Sequence, residues 1–335
     1  MVITTRNPVI NVKITVICLG VILFAVAAAN LWRLPPPDPD CVLAVSLYKE
    51  ILEEINIVGI DYSSLTTTLG SYAVKKTSEN PETAALMIRL LKDSGISSGS
   101  VAAINASGSF PGFVLAALSA CSTLGVKAYV IASVGSSTYG ANIPGNTIAD
   151  MLLKDSVRRL DHTLLAITPG GSDDKGMELD PQELDRIHEI LDKHGLPFIR
   201  PASLTDAIDT RESLFIAKGC NMLINIGGSH ASDGANVDLA LASGILKPNN
   251  VQYYKDDGLI QRFLTKNIQV IQILNIRKLY SAYGLDFDQN GKISGNSEKL
   301  FRWKKLPLLA ALLPVTVALV LFGILRYSGI NKRRV

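Results

Sequence analysis

The chain has 335 residues, of which 47% are hydrophobic, 19% are charged and 6% are aromatic. This composition excludes a collagen-like chain, a disulfide-stapled mini-protein and a disordered chain. The net charge of +3 also excludes a nucleic-acid binder that relies on overall charge.

A long apolar run near the start predicts a membrane-spanning helix over residues 14–33. Residues 14–31 carry no charge, and as a helix they would be roughly 27 Å long, close to the thickness of a hydrocarbon core. A Pro-rich linker, residues 34–40, follows. The alternative is a cleaved signal peptide, because basic residues precede the run and Ala27, Ala28 and Ala29 lie near its end.

Residues 41–300 are predicted to form an α/β domain. They hold 23 Lys and Arg against 28 Asp and Glu, a net charge of −5. Helices are indicated by the pairs Asn80-Pro81 and Asp180-Pro181 and by Ser203, and a buried helix by residues 112–124. Short apolar strands alternate with these helices, which indicates a mostly parallel sheet covered by helices on both faces. The predicted strands are residues 101–105, 127–132, 164–168, 196–199, 222–226 and 268–274.

Four loops rich in Gly and Ser follow predicted strands, at residues 106–112, 133–142, 169–176 and 227–234. Ligands bind at the carboxyl ends of parallel strands, so these loops predict a binding site. The first loop leads into a helix, whose free N–H groups would favour a carboxylate or phosphate. Ordinary capped turns are the alternative. The candidate ligand-binding residues are Ser107, Gly108, Ser109, Ser133, Gly135, Gly140, Asn142, Gly170, Gly171, Gly227, Gly228 and His230.

The same loops hold the candidate catalytic residues. Of the four histidines, His230 alone lies in them, which makes it the acid–base candidate. Ser109 is the candidate nucleophile, and Asp233, with Asp173 and Asp174, could orient the histidine. No P-loop, dinucleotide-binding fingerprint or nucleophile elbow occurs in the sequence. These residues therefore leave both an enzyme and a binding protein open.

Residues 286–293 match the first half of a calcium-binding loop. Asp286, Asp288 and Asn290 stand at the first, third and fifth positions and are the candidate metal ligands, with Gly291 at the sixth. Ser297 occupies the twelfth position, where such loops carry a bidentate Glu. Calcium is the metal that this pattern indicates, a simple Asx and Gly turn is the alternative, and no other cofactor is predicted.

A second apolar run predicts a membrane helix at residues 306–325. The tails that flank the two runs, residues 1–13 and 326–335, carry six basic residues, whereas the inner borders carry four. Because basic flanks favour the cytoplasm, both tails are expected there. The prediction is a two-pass protein of the cell membrane with its main domain outside the cytoplasm, and a cytoplasmic main domain is the alternative.

Several of these segments together resemble the poly-γ-glutamate system protein family. They are residues 66–70 (TTTLG), 80–81 (NP), 107–111 (SGSFP), 133–142 (SVGSSTYGAN) and 226–232 (IGGSHAS). That family accompanies the ligase and membrane subunits that make and export poly-γ-glutamate in some bacteria. The resemblance covers most of residues 60–285 and the leading anchor. The chain departs from the family near residues 283–285, where the family continues with a Pro-rich stretch.

The resemblance implies an accessory role in poly-γ-glutamate capsule biosynthesis at the bacterial envelope. The expected partners are the ligase and membrane subunits of that system and the polymer itself, with no nucleic acid. No catalytic residue carries over, because the family supplies no established reaction. The alternatives are a Ser/His hydrolase or transferase acting on the γ-glutamyl polymer, and a solute sensor. A compact arrangement of Ser109, His230 and an Asp would favour the enzyme, and an open Gly/Ser cleft without it would favour binding.

Overall fold

The computed structural model describes residues 36–234, 237–249 and 257–302, with Gly20 and Val317 as single positions. The chain divides into two units, one formed by Asp38–Phe301 and the other by Met1–Pro37 with Arg302–Val335. Apart from Gly20 and Val317, the predicted membrane helices and both tails lie outside the described residues. Within the described residues, no helix combines the length and apolarity needed to cross a membrane.

The elements of the described residues are numbered in chain order. The strands are β1 (Thr66–Thr68), β2 (Val101–Ser107), β3 (Lys127–Ser133), β4 (Ser136–Ser137), β5 (Asn142–Ile143), β6 (Asn146–Thr147), β7 (His162–Thr168), β8 (Met222–Ile226), β9 (Gly244–Leu246), β10 (Gln269–Ile273), β11 (Leu285–Phe287) and β12 (Ile293–Gly295). The helices are α1 (Pro39–Glu54), α2 (Tyr72–Thr77), α3 (Glu82–Asp93), α4 (Pro111–Leu124), α5 (Ile148–Leu152), α6 (Asp155–Arg158), α7 (Pro181–Lys193), α8 (Leu204–Ala217), α9 (His230–Asp233), α10 (Val237–Leu241), α11 (Leu259–Thr265), α12 (Ile276–Ala282) and α13 (Glu298–Phe301).

The main sheet has the strand order β7-β3-β2-β8-β10-β9. All neighbours pair in parallel except β9, which runs antiparallel to β10 at the edge. The predicted α/β fold with a mostly parallel sheet is therefore confirmed. The predicted strand 196–199 is wrong as a full strand: it contributes an isolated bridge between Phe198 and Ile167. Pro197, which has no N–H to donate, precedes that bridge.

Helices cover both faces of the sheet. On β2, Ala102 and Ile104 pack into one apolar cluster with α1, α3 and α4, whereas Ala103 packs into a second cluster with α8 and α11. This alternation is the two-residue period of a strand buried on both sides. Helix α4 is buried from Pro111 to Cys121, as its continuous apolar sequence predicts.

Side-chain caps fix where the predicted helices begin. Asp180 accepts the Gln182 N–H at 3.0 Å and starts α7, and Ser203 accepts the Asp206 N–H at 3.1 Å and starts α8. Helix α3 begins at Glu82, whose N–H donates to Asn80 Oδ1 at 2.9 Å. Helix α1 starts at Pro39, so the last two residues of the predicted linker 34–40 are helical.

The two ends of the unit Asp38–Phe301 lie against each other. The Asp38 N–H donates to the Phe301 carbonyl oxygen at 2.7 Å, and the Cys41 thiol lies 3.5 Å from the Leu300 carbonyl oxygen. The first helix of the unit, α1, therefore contacts the last, α13. The chain enters and leaves this unit at one point.

The carboxyl ends of the parallel strands share one edge of the sheet. Ser133 pairs with Ser107 on one side and with Thr168 on the other, and Ile226 pairs with Ala106 and Ile273. The loops that follow β2, β3, β7 and β8 consequently leave the sheet side by side. Strand β1 pairs in parallel with β4 and brings residues 66–68 onto the loop after β3.

Candidate functional site

A cleft of about 540 Å³ lies at this edge, and all four predicted loops contribute to its walls. Thr67 and Thr68 of β1 complete one wall from outside the main sheet, and the structure adds Glu178, which follows the third loop. The predicted site residues that line the cleft are Ser107, Ser109, Ser133, Gly135, Gly170, Gly171, Gly228, His230 and Asp233.

The other four predicted residues lie behind these walls. A Cβ on Gly108 would stand 2.6 Å from the Val134 carbonyl oxygen, and one on Gly140 would stand 2.7 Å from the Gly108 carbonyl oxygen. Asn142 donates to the Ile60 carbonyl oxygen at 2.8 Å. Gly227 has a φ of +93°, and a Cβ there would collide with the Ser107 hydroxyl. These residues hold the loops together and do not face the cleft.

The turn Ser107–Gly108–Ser109 does not form the expected anion site. The Gly108 N–H donates to the Ser133 carbonyl oxygen at 2.8 Å, and the Ser109 N–H donates to Ser107 Oγ at 3.3 Å. The Phe110 N–H closes the turn onto the Ser107 carbonyl oxygen at 3.4 Å. Neither Pro111 nor Gly112, the first residues of α4, lines the cleft. The backbone donors of the turn are therefore used within the protein.

Ser109, His230 and Asp233 lie at the same cleft, but they do not form a relay. Ser109 Oγ accepts the Ser137 N–H at 2.9 Å, and among the described residues no hydrogen bond joins it to His230. The His230 side chain is 61% exposed, and its Nδ1 lies 3.6 Å from Asp173 Oδ1. Asp233 Oδ1 accepts from Gln272 Nε2 at 3.4 Å. Each candidate has its own partner.

The cleft has an acidic character. Asp233 is 9% exposed, and burial raises the pKa of its carboxyl to about 7, although hydrogen bonds from Gln272 and the Ser229 backbone N–H act in the opposite direction. Glu178 also lines the cleft and accepts the Ser172 N–H at 2.7 Å. No Lys or Arg occurs among the described residues that line it.

A buried row of amides under the cleft was not predicted from the sequence. Asn105, Asn225 and Gln272 occupy matching positions on β2, β8 and β10. Asn105 Nδ2 donates to Asn225 Oδ1 at 2.7 Å, and Asn225 Nδ2 donates to Gln272 Oε1 at 2.7 Å. Gln272 then donates to Asp233. The row thus connects the middle of the sheet to an acid in the cleft.

Arg211 of α8 extends this row to the other strands. Its side chain is 2% exposed and bonds Asp174 Oδ2 through Nη1 at 2.6 Å. Its Nη2 donates to Thr168 Oγ1 at 2.8 Å and to Ser133 Oγ at 3.0 Å, and its Nε donates to Asn105 Oδ1 at 3.1 Å. Asp174, expected to orient His230, instead neutralises this buried guanidinium.

The sequence carries a signal for this network. An amide interrupts the apolar run of each of three strands close to its carboxyl end, in VAAINAS, MLINI and QVIQI. Buried polar side chains need partners, so amides at the same depth in adjacent strands are expected to bond to one another. The arginine gives no comparable signal, because one charged residue in a helix usually lies at its surface.

The calcium-like segment forms the hairpin of β11 and β12. Asp286 Oδ1 accepts from Arg277 Nη1 at 2.6 Å. Asp288 Oδ1 accepts the N–H groups of Asn290 and Lys292 at 2.8 and 3.0 Å, which is the geometry of an Asx turn. Within the described residues, no group of three or more His, Cys, Asp or Glu could hold a metal ion.

Comparison with known proteins leaves the family open. No protein-family model and no curated protein matches this chain.

Proposed function

We propose that this chain is a membrane-anchored accessory protein of poly-γ-glutamate capsule biosynthesis or export, and that its α/β unit binds a ligand of that system in the cleft. One observation carries the proposal. Four of the segments that resemble the family, residues 66–70, 107–111, 133–142 and 226–232, each contribute side chains to the same cleft. Segments far apart in sequence meet where a parallel sheet binds ligands.

Binding is better supported than catalysis. A serine nucleophile needs a base within hydrogen-bond reach, and Ser109 Oγ instead accepts a backbone N–H from Ser137. His230 lies at the exposed rim with Asp173. The alternative, a Ser/His hydrolase or transferase acting on the γ-glutamyl polymer, would require these side chains to rearrange when the substrate binds.

The membrane anchor is part of the proposal. The two predicted membrane helices are joined to the α/β unit through residues 34–37 and 302–305, and the unit begins and ends at the contact between Asp38 and Phe301. Two connections from one point are compatible with a two-pass anchor. Reporter fusions after Gly195 and Val335 test the orientation: an extracytoplasmic reporter should be active at Gly195 and a cytoplasmic one at Val335. A cytoplasmic reporter active at Gly195 would contradict it.

The accessory role is tested by deleting the gene in a polymer-producing strain. Surface poly-γ-glutamate should decrease while other envelope polymers stay unchanged, and the wild-type chain should restore it. Thr68→Trp should fail to restore it, because Thr68 is exposed on the cleft wall and a large ring there would fill the cleft. Ser213→Trp, on an exposed position of α8, is the matched control. Unchanged polymer yield and length after deletion would refute the role.

A further inference from the structure

The side chains that line the cleft disfavour an anion. Glu178 and Asp233 are acidic, and His230 is the one lining side chain of the described residues that can carry a positive charge. Arg211 lies beneath the cleft, where Asp174, two hydroxyls and an amide use its donors. A carboxylate in the cleft would therefore lie beside two acidic side chains and favour neither in its ionised form, whereas an ammonium group would stabilise the ionised form of both.

Arg211 fixes the direction of every hydrogen bond in the buried row. A guanidinium has donors only, so Asn105 must present its oxygen to Arg211 and its NH₂ to Asn225. The same constraint passes along the row, so Asn225 donates to Gln272, and Gln272 presents its NH₂ to Asp233. The network therefore offers Asp233 a donor, so its carboxyl acts as an acceptor at the end of the row.

Asp233 lacks the charge partner that such a carboxylate needs. It is 9% exposed, and its partners are the Gln272 amide at 3.4 Å and the Ser229 backbone N–H, both neutral. In the described residues no cation pairs with it, and burial alone pushes the pKa of its carboxyl upward. A carboxylate has about four acceptor sites, so Asp233 retains capacity for a donor that enters from the cleft. A ligand ammonium would supply both the donor and the missing charge.

We propose that the cleft binds its ligand through a primary amino group, which pairs with the carboxylate of Asp233. Hydroxyls of the same walls, such as those of Ser107 and Ser229, are suited to accept the remaining ammonium protons. The amino-group site is argued from the cleft alone, but the identity of the ligand rests on the proposed function. Each γ-glutamyl chain has a single free amino group, at its amino end, on the carbon that also bears an α-carboxylate. Its other residues offer amides and carboxylates but no amine. The cleft would then recognise the amino end of the polymer.

The test is calorimetric titration of the purified full-length chain with four probes. They are a tri-γ-glutamyl peptide, the same peptide acetylated at its amino end, dialanine, and N-acetyl-dialanine. Acetylation removes the charge and should weaken binding of the γ-glutamyl peptide about 10- to 100-fold, the range for one hydrogen bond to a charged group. Asp233→Asn should weaken binding of the free-amine peptide by a similar factor and leave the acetylated peptide unaffected. Asp161→Asn, an exposed acid just before β7 at the opposite edge of the sheet, is the control.

The outcomes separate this inference from the proposed function. Equal affinity for the free and acetylated γ-glutamyl peptides would overturn the amino-group site and leave the accessory role standing. Amine-dependent binding of dialanine without binding of either γ-glutamyl peptide would support the site and refute the polymer as its ligand. Failure of every amine-bearing probe to bind would overturn the amino-group site, and the gene deletion would still decide the accessory role. The acetylation comparison uses wild-type protein, so it decides the question even if Asp233→Asn does not fold.

Discussion

Replacing Asp233 with Asn should remove a large pH dependence from the stability of the α/β unit. Burial raises the pKa of Asp233 from 3.8 to about 7, so between these values the folded state binds more protons than the unfolded state. The free energy of unfolding therefore falls as pH rises through this window. Each pH unit corresponds to about 1.4 kcal/mol, so the full window amounts to about 4 kcal/mol. Asn keeps an oxygen that can accept from Gln272 but does not ionise.

The assay is denaturant unfolding of the full-length wild type and Asp233→Asn between about pH 4 and pH 8, followed by circular dichroism. Every other titrating group is common to both proteins, so the difference between their unfolding free energies isolates Asp233. The free energy of unfolding of the variant should rise relative to that of the wild type by up to about 4 kcal/mol as pH rises through the window. Almost all of this relative increase should be complete by about pH 8.

Two results would refute this reasoning. A difference that stays constant with pH would mean that Asp233 ionises alike in the folded and unfolded states. A difference that grows in favour of the wild type at high pH would mean that the folded protein stabilises the ionised carboxylate with a nearby cation. Asp161→Asn, at an exposed position just before β7, is the control for the loss of one carboxylate.

Three further predictions concern residues beneath and behind the cleft and the hairpin of β11 and β12. Arg211→Met should lower the free energy of unfolding by about 3–5 kcal/mol in a denaturant titration, because it leaves Asp174 buried without its cation. A loss below about 1 kcal/mol would contradict this prediction. Gly108→Ala should destabilise the unit by about 1–3 kcal/mol, because the new Cβ would press on the Val134 carbonyl oxygen; an unchanged melting temperature would argue against this contact. Calcium at about 1 mM, the range of weak sites, should leave the melting temperature unchanged. Arg277 and backbone N–H groups already donate to the carboxylates of the hairpin. A rise in melting temperature on adding calcium would contradict this prediction.

The parallel sheet could be predicted because its determinants are local. Apolar runs of five to seven residues define β2, β3, β7, β8 and β10, and caps such as Ser203 mark the helices between them. Strand β9 was missed because it has three residues and starts at Gly244, which gives no periodic pattern. The segment around Phe198 was apolar enough to resemble a strand, but Pro197 limits its pairing.

The position of the cleft could be predicted, but its chemistry could not. Gly and Ser after strands locate the loops, since parallel strands end at one edge. Whether a backbone N–H in the turn at Ser109 is free depends on acceptors such as Ser133, which lies in the next strand. The buried row depends on even longer separations: Asn105 bonds Asn225, 120 residues away. Such contacts are properties of the assembled sheet.

The closure of the α/β unit at Asp38 and Phe301 has a mechanical consequence. Because the ends are joined by a 2.7 Å hydrogen bond, a short linker could connect them without disturbing the sheet. A circular permutant could then have its new termini in an exposed turn such as that at Gly195. The same geometry sets the response to tension applied through the two ends. The force would act first on the contact between α1 and α13, so these two helices would separate before any strand of the central sheet is strained.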